Sequence, residues 1–329
     1  MSETELGEAA EKKAHRSGFV SLVGRPNAGK STLLNRMVGE KLAIVSDKPQ
    51  TTRTAVQGVL TRPDAQIVFL DTPGIHNAGS MLNRRMMDSV HGALEDRDAI
   101  VFLADCSARM GTEDAHAVLL AAGAGKPVIL ALNKIDRLDD KRLLLPTIES
   151  YQKLHDFAEC MPLSAETGEG VAELLDAIVA RMPEGPAYFP DDYLTDQPER
   201  FLAAELIREQ ILGATRQEVP HAVGVTIERW EERNAKLVHI AAVVCVERQG
   251  QKAIIVGGKG AVLKRVGSMA RQQIEAMLDR KVFLEIFVKV EEGWRNKPGL
   301  LDVVDWRAGT LPRGERALDP ESGFQSESE

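Results

Sequence analysis

A glycine-rich segment near the N-terminus has the residue types and spacing of a loop that binds phosphate groups. The pattern G-x-x-x-x-G-K-[ST] is matched by Gly24, Arg25, Pro26, Asn27, Ala28, Gly29, Lys30 and Ser31, and Thr32 follows directly. The glycines let backbone N–H groups approach phosphate oxygens, the lysine neutralises the outer phosphates, and the serine hydroxyl can reach a magnesium ion. A helix that begins at such a loop adds the positive end of its dipole. The segment therefore predicts a nucleotide site.

A second motif carries the acidic residue that such a site needs. It consists of Asp71, Thr72, Pro73 and Gly74, and it follows the apolar run 67–70, which predicts a buried strand. In nucleotide-hydrolysing enzymes of this kind, an acidic residue at a strand end holds magnesium, and a glycine N–H meets the γ-phosphate.

A third motif predicts the base. Asn133, Lys134 and Asp136 belong to an N-K-x-D sequence that follows the apolar run 128–132. The Asp136 carboxylate can accept hydrogen bonds from two adjacent N–H donors of guanine, which adenine does not present in that arrangement. GTP is therefore favoured over ATP.

A fourth motif follows the short apolar run 160–163 and consists of Ser164, Ala165 and Glu166. Backbone N–H groups at this place can meet the carbonyl oxygen of guanine. The first motif also follows an apolar run, residues 19–23. Four motifs in this order, each after its own apolar run, predict an α/β P-loop GTPase domain with a mostly parallel sheet and helices on both faces.

A polar segment between the first two motifs shows no apolar periodicity, which is typical of a mobile switch loop. Its residues are Gln50, Thr51, Thr52 and Arg53. We predict that the Thr52 hydroxyl closes on magnesium when GTP is bound, with Thr51 as the alternative. The predicted magnesium ligands are then Ser31, Thr52 and Asp71.

Two positions bear on the rate of hydrolysis. Many small GTPases place a water-orienting glutamine after the second motif, where this chain has Ile75, and an aliphatic side chain cannot orient water. We therefore expect slow intrinsic hydrolysis. Asn27 resembles the potassium-binding residue of GTPases that use a monovalent cation; alternatively, it only caps a turn.

The C-terminal third of the chain has the composition and element order of a different domain. A helical segment, two strand-like runs (222–230 and 237–246), two helices and a further strand predict the α-β-β-α-α-β order of an α+β KH domain of type II. A G-x-x-G loop lies between the two helices. The predicted RNA-binding residues are Gly257, Gly258, Lys259, Gly260, Lys264 and Arg265.

Charge supports a polyanion as the ligand of this domain. The whole chain has a net charge of −8, yet residues 250–281 contain seven Lys and Arg against two Asp and Glu. A basic concentration around a glycine loop in an acidic protein is the pattern expected of a nucleic-acid site.

Length and composition set the organisation. A chain of 329 residues predicts about two domains, and neither a long apolar run nor the apolar core of a signal peptide is present, so we expect a cytoplasmic protein. The predicted division is an N-terminal extension (1–16, flexible), a GTPase domain (17–182), a linker (183–198), a KH domain (199–306) and a disordered acidic tail (307–329).

Residues 17–306 resemble the Era family, bacterial GTPases with a C-terminal KH domain. The resemblance is carried by the four motifs, the switch segment 50–53, and residues 189–193, 200–201, 247–252 and 257–260. It implies GTP and GDP as ligands, binding to the 3′ end of 16S ribosomal RNA, assistance in small ribosomal subunit assembly, and a GTP-dependent domain arrangement.

The resemblance also implies peripheral association with the inner membrane, as in some family members, and we expect a monomer. Two alternative functions are an RNA-modifying GTPase and another type of ribosome-associated GTPase.

The guanine motif yields a direct prediction. Asp136→Asn should lose affinity for GTP and gain affinity for xanthosine triphosphate, because the amide offers a donor where the carboxylate accepts. A missing charge-assisted pair in a desolvated pocket costs roughly 2 to 4 kcal/mol. Competition between the two nucleotides in equilibrium binding measures the exchange, and a variant that still prefers GTP would contradict the assignment.

Overall fold

Two β-sheets organise the chain. In the computed structural model, which describes residues 14–75, 79–215 and 219–309, one sheet has six strands and the other has three. The six-stranded sheet belongs to the N-terminal part and the three-stranded sheet to the C-terminal part of the described chain.

The six-stranded sheet is mostly parallel. Its strands are β1 (Arg16–Val23), β2 (Val56–Thr61), β3 (Ala65–Asp71), β4 (Ala99–Asp105), β5 (Val128–Asn133) and β6 (Glu159–Pro162). They lie in the order β2-β3-β1-β4-β5-β6, and only the β2–β3 hairpin is antiparallel. The predicted P-loop GTPase fold class is confirmed.

Helices cover both faces of this sheet. They are α1 (Lys30–Val38), α2 (Met81–Leu94), α3 (Thr112–Gly123), α4 (Leu144–Gln152) and α5 (Val171–Val179). One buried cluster joins α1 and α5 to the sheet through Leu33 and Ile178. A second cluster joins α2, α3 and α4 to the opposite face through Val90, Val118 and Tyr151. These two apolar layers hold the sheet rigid beneath the loops that carry the motifs.

The second sheet and the helices around it form the C-terminal domain. In chain order the elements are α6 (Glu199–Ala214), α7 (Val219–Ala222), β7 (Gly224–Asn234), β8 (Leu237–Val246), α8 (Gln249–Val256), α9 (Ala261–Leu278), β9 (Lys281–Val290) and α10 (Pro298–Val304). β7 and β8 are antiparallel, whereas β8 and β9 are parallel.

The predicted α-β-β-α-α-β order of a KH domain is confirmed, with two additions. The short helix α7 precedes β7, so the first strand begins at Gly224 and the predicted start at Ala222 was wrong. Ala222 ends α7, and its carbonyl accepts a hydrogen bond of 2.8 Å from the indole Nε1 of the buried Trp294. The second addition is α10, which follows β9.

The segment predicted as a linker is bound along the first sheet. The backbone N–H of Val59 donates to the Leu194 carbonyl over 2.8 Å. The buried Gln66 side chain accepts from the N–H groups of Tyr188 (2.7 Å) and Phe189 (2.9 Å) and donates to the Phe189 carbonyl. The prolines and glycines correctly indicated irregular backbone, but backbone irregularity does not show whether a segment is anchored.

Contacts also cross the other predicted domain boundaries. The predicted division into domains stays a prediction. β1 begins at Arg16, one residue before the predicted start of the GTPase domain, and the Arg16 guanidinium donates to the Met182 carbonyl over 2.7 Å. Arg307, predicted to begin the tail, forms an ion pair of 2.8 Å with Asp196. Residues 1–13 of the extension and 310–329 of the tail lie outside the described residues.

Helix α2 makes one of the contacts between the two domains. Its Leu82 and Met86 pack with Trp294 and Leu301 of the C-terminal domain in one buried cluster. None of the helices within the described ranges combines the length and the apolar character that a membrane-spanning helix needs.

We predict that Gln66→Leu detaches the segment around Tyr188 and Phe189. Two backbone N–H groups and one carbonyl would lose their partner, and each unsatisfied group costs about 1 to 3 kcal/mol unless water reaches it. Limited proteolysis should therefore cut faster within 186–192, and the unfolding midpoint in urea should fall. The exposed Gln152→Leu is the control; equal proteolysis of both variants would show that the amide does not hold the segment.

Candidate nucleotide site and nucleic-acid groove

All four motifs and the switch segment meet at one cavity. It has a volume of about 380 Å³ and lies at the carboxyl ends of the parallel strands. Its lining includes Pro26, Asn27, Gly29, Lys30, Ser31, Thr32, Gln50, Thr51, Thr52, Gly74, Asn133, Lys134, Asp136, Ala165 and Glu166. Ligands of doubly wound sheets bind at this edge.

The phosphate-binding loop has the backbone geometry that its sequence predicts. Gly29, at φ 100°, precedes α1, and a Cβ there would lie 2.2 Å from the amide nitrogen of Asn133. Only glycine fits, because both the conformation and the space exclude a side chain. The N-terminus of α1 thus opens directly into the cavity, with its first N–H groups available to an anion.

Lys30 is held at the floor of this loop. Its ammonium group donates to the carbonyls of Gly24 (2.9 Å) and Arg25 (3.0 Å). Burial lowers the pKa of Lys30 to about 8, and the nearby Asp71 carboxylate opposes that shift. The negative charge of a phosphate would also favour the protonated form, so ligand binding and lysine charge support one another.

Three oxygen-bearing side chains cluster at the inner end of the cavity. The Ser31 hydroxyl lies 2.6 Å from Asp71 Oδ2 and 2.8 Å from the Thr52 hydroxyl. Thr52 Oγ1 is 3.4 Å from the same carboxylate oxygen. The neighbouring Thr51 hydroxyl turns away and donates to the Lys48 carbonyl over 2.6 Å. The structure therefore brings together Ser31, Thr52 and Asp71, and leaves Thr51 outside the group.

This cluster fits a magnesium ion. Asp71 Oδ1 is buried and has no hydrogen-bond partner among the described residues, so one carboxylate oxygen is available for a cation. Burial raises the pKa of Asp71 to about 6, against the effect of Lys30 and the two hydroxyls. Carboxylate and hydroxyl oxygens are hard donors of the type that Mg²⁺ prefers.

Asn133 braces the base end of the cavity. Its Nδ2 donates to the Ala28 carbonyl over 2.8 Å, and its Oδ1 accepts from the Ala165 N–H over 2.9 Å. The side chain thereby joins three motifs that are far apart in sequence. Its two polar atoms engage backbone groups, so its effect on a bound base is to position the loops around it.

Lys134 and Asp136 face the cavity in different ways. Lys134, at φ 71°, directs its ammonium group to the Asn27 carbonyl (2.7 Å) and to Asp105 (2.6 Å). Asp136 lines the cavity with its side chain about one quarter exposed. Its nearest ion-pair partner is Arg137 at 4.0 Å, and the carboxylate is the acidic group that the cavity offers to the N–H edge of guanine.

Two supporting residues were absent from the sequence prediction. Asp105 holds Lys134, and it follows the apolar run of β4 as the other motif residues follow their strands, so its position was a usable signal. Arg36 donates from α1 to the carbonyls of Ala165 and Glu166. Nothing in the local sequence of α1 indicates this contact.

The second motif is fixed by the core. The Thr72 hydroxyl donates to the Leu22 carbonyl over 2.8 Å, and a Cβ at Gly74 would lie 2.7 Å from Pro26. Ile75 is 1% exposed and packs in the buried cluster beneath α2. Its side chain therefore does not reach a water in the cavity.

Two predicted residues of the loops make contacts elsewhere. Asn27, at φ 62°, donates from Nδ2 to the Asp47 carbonyl over 2.7 Å, so its side chain reaches the chain just before the switch segment. Arg53 does not line the cavity. Its guanidinium is buried in the C-terminal domain, and that burial lowers its pKa to about 9.

The glycine loop of the C-terminal domain lies between α8 and α9, as predicted. Gly257, Lys259 and Gly260 all have positive φ (71°, 52° and 78°). A Cβ at Gly257 would lie 2.4 Å from Cγ2 of Val262, which requires glycine there. Gly258 has open space above it, and Lys259, Lys264 and Arg265 are exposed. The loop therefore presents backbone and basic side chains to solvent.

A groove beside this loop was not predicted. It has a volume of about 490 Å³ between α9 and the edge strand β9, and its lining includes Leu263, Lys264, Arg271, Phe283 and Ile286. Phe283 and Phe287 of β9 are 56% and 57% exposed. Exposed aromatic rings next to basic side chains suit stacking with single-stranded bases. The alternation of residue types along β9 was the sequence signal that could have identified these exposed rings.

Family models match both domains. Residues 19–134 match the model described as a 50S ribosome-binding GTPase, and residues 218–295 match that of a KH domain.

Sequence relatives and solved structures cover most of the chain. GTPase Era of Geobacter metallireducens is 50% identical over 287 residues, which cover 87% of this chain and 96% of the relative. GTPase Era of Geotalea uraniireducens is 49% identical over 290 residues (88% and 97%).

Two similar solved structures contain ligands. A crystal structure of an Aquifex aeolicus Era variant bound to GDP and AlF4⁻ is 39% identical, with a TM-score of 0.84, and covers 88% of this chain and 98% of that one. A structure of Era with MgGDPNP and nucleotides 1506–1542 of 16S ribosomal RNA is also 39% identical, with a TM-score of 0.85 and the same coverage. Because identity, length and both domains agree, this chain belongs to the GTPase Era family.

Proposed function

We propose that this protein is a GTP-hydrolysing switch that binds the 3′ end of 16S ribosomal RNA and assists assembly of the small ribosomal subunit. The observation that carries the proposal is the cluster of Ser31, Thr52 and Asp71 at the inner end of a cavity that also contains Asp136. The related Era structure with MgGDPNP and a 16S RNA fragment supports both ligands.

The nucleotide would lie along the cavity from Lys30 to Asp136. The N-terminus of α1 and the Lys30 ammonium would meet the phosphates, and the Asp136 carboxylate would accept from the base. Ser31, Thr52 and Asp71 would hold Mg²⁺, which supplies charge neutralisation between the β- and γ-phosphates. Gly74 would present its backbone N–H to the γ-phosphate, which makes this part of the site sensitive to the difference between GTP and GDP.

Hydrolysis of GTP to GDP and phosphate would be slow in the isolated protein. The buried Ile75 cannot orient the attacking water. We infer that a monovalent cation contributes, with Asn27 among its ligands, because the Asn27 side chain lies between the phosphate-binding loop and the backbone at Asp47, just before the switch segment.

The C-terminal domain would bind single-stranded RNA. The backbone of Gly257 to Gly260 would pass close to the phosphates, Lys259, Lys264 and Arg265 would neutralise them, and bases would enter the groove beside Phe283. We propose further that the protein is a cytoplasmic monomer, with peripheral contact to the inner membrane as the resemblance implies.

The RNA site is tested with the full-length protein and a short strand that copies the 3′ end of 16S ribosomal RNA. At one fixed salt concentration, we expect tighter binding with a non-hydrolysable GTP analogue than with GDP. Lys259→Glu should weaken RNA binding about tenfold and lower the salt dependence by about one counterion. Lys153→Glu, on the exposed surface of the GTPase domain, is the control. Loss of nucleotide affinity together with RNA affinity in Lys259→Glu would contradict a local role.

The cation is tested by measuring GTP turnover in potassium and in sodium at equal ionic strength. The wild-type protein should be faster in potassium by about a hundredfold, the lower end of the effect expected of one preorganised charge-stabilising group. In Asn27→Ala the difference between the two salts should disappear, while GDP affinity stays unchanged. Fast turnover in sodium by the wild-type protein would refute both the cation and the expectation of slow intrinsic hydrolysis.

A further inference from the structure

The C-terminal domain holds the backbone of the switch segment beside the magnesium cluster. Arg208 of α6 is 1% exposed, and its Nη2 donates to the carbonyl of Thr51. The same guanidinium makes two bonds to the Glu205 carboxylate, of 2.7 Å from Nε and 2.5 Å from Nη2. This carboxylate fixes the plane of the guanidinium, which makes the arginine a rigid donor.

The residue on the other side of Thr52 is held by the same domain. Arg53 donates from Nη1 to the Val223 carbonyl over 2.6 Å and from Nη2 to the His221 carbonyl over 3.4 Å. Its guanidinium lies 5.7 Å from the ring centre of Trp294. Thr52 therefore stands between two neighbours that are both anchored in the C-terminal domain.

Helix α6 extends this contact towards the start of the switch segment. One turn along from Glu205, Glu209 accepts from the Val45 N–H over 2.9 Å and from the Lys41 ammonium over 2.5 Å. The helix thus contacts the switch segment at the Thr51 carbonyl and the residues that precede the segment at Lys41 and Val45.

We propose that Arg208 is a positioning residue of the GTPase site. The Thr51 carbonyl and the Thr52 nitrogen belong to one planar peptide unit, so a donor that fixes the carbonyl also fixes the start of Thr52. The bond from Arg208 thereby keeps the Thr52 hydroxyl next to Ser31 and Asp71. This inference rests on the proposed role of Thr52 as a magnesium ligand. It makes the GTP state depend on the docking of α6, because displacement of the helix by about 1 Å breaks the bond.

The test compares Arg208→Met with Arg280→Met in the full-length protein. Arg280 pairs with Glu232 inside the C-terminal domain, so its loss removes an arginine–glutamate pair away from the switch segment. In Mg²⁺, Arg208→Met should lower the affinity for a GTP analogue about tenfold relative to GDP, as the loss of one hydrogen bond to a charged group predicts. Without Mg²⁺, and in Arg280→Met, this ratio should be that of the wild-type protein.

A second readout needs no nucleotide. Amide hydrogen exchange at residues 51–53 of the nucleotide-free protein should accelerate in Arg208→Met and remain unchanged in Arg280→Met. If Arg208→Met does not fold, Arg208→Lys decides, because the lysine keeps the charge but cannot bind the carbonyl and both Glu205 oxygens together. It should change the ratio in the same direction by a smaller factor.

Thr52→Ala, measured in parallel, distinguishes the positioning role of Arg208 from the proposed role of Thr52 as a magnesium ligand. If Thr52→Ala lowers the relative affinity for the GTP analogue and the Arg208 variants do not, the positioning role is refuted and the proposed magnesium site stands. If Thr52→Ala also has no effect, the assignment of Thr52 is refuted. An equal loss of GDP and GTP affinity in the Arg208 variants would show a general structural role and would overturn the proposal.

Discussion

Parallel pairing of β1 with β3 and β4 is the constraint on which the nucleotide site depends. The register sets Leu22 opposite Asp71, and that of β4 and β5 sets Asp105 opposite Asn133. Because all these strands point the same way, the loops that follow them open at one edge of the sheet. Two apolar layers hold the sheet from both faces, so residues more than 100 positions apart in sequence share one cavity.

Two buried groups of opposite charge, Lys30 and Asp71, lie near each other at that cavity. Burial lowers the pKa of Lys30 to about 8 and raises that of Asp71 to about 6, and each group offsets part of the other's shift. A low-dielectric site whose charges are already in place needs little reorganisation when phosphate and a divalent cation enter. The Asn133 amide contributes to the same preorganisation by tying the phosphate-binding loop to Ala165.

The contact between the two domains lies directly beside the cluster of Ser31, Thr52 and Asp71. Arg208 and Trp294 of the C-terminal domain contact Thr51 and Arg53, and the hydroxyl of Thr52 between them lies beside Asp71. Thermodynamic linkage is reciprocal, so any ligand that moves the C-terminal domain relative to this stretch changes nucleotide affinity, and nucleotide changes the affinity for that ligand. The arrangement gives a physical route by which RNA and GTP could influence one another.

The sequence by itself determined the two domains, the nucleotide and its base. These follow from local features: Gly29 and Lys30 occur in one short loop, Asp136 stands three residues after Asn133, and each motif follows an apolar run that favours a strand. The KH element order was equally readable from periodicity, apart from the short α7, the start of β7 and the added α10.

Only the tertiary structure decided which of two adjacent threonines turns towards Asp71, where Arg53 points, and that the segment 183–198 is bound. The Thr51 carbonyl is fixed by an arginine that is 157 residues further along the chain, and Gln66 captures Phe189 across 123 residues. The orientation of a hydroxyl or the anchoring of an irregular segment depends on such distant partners. Short-range patterns of residue type contain no information about them.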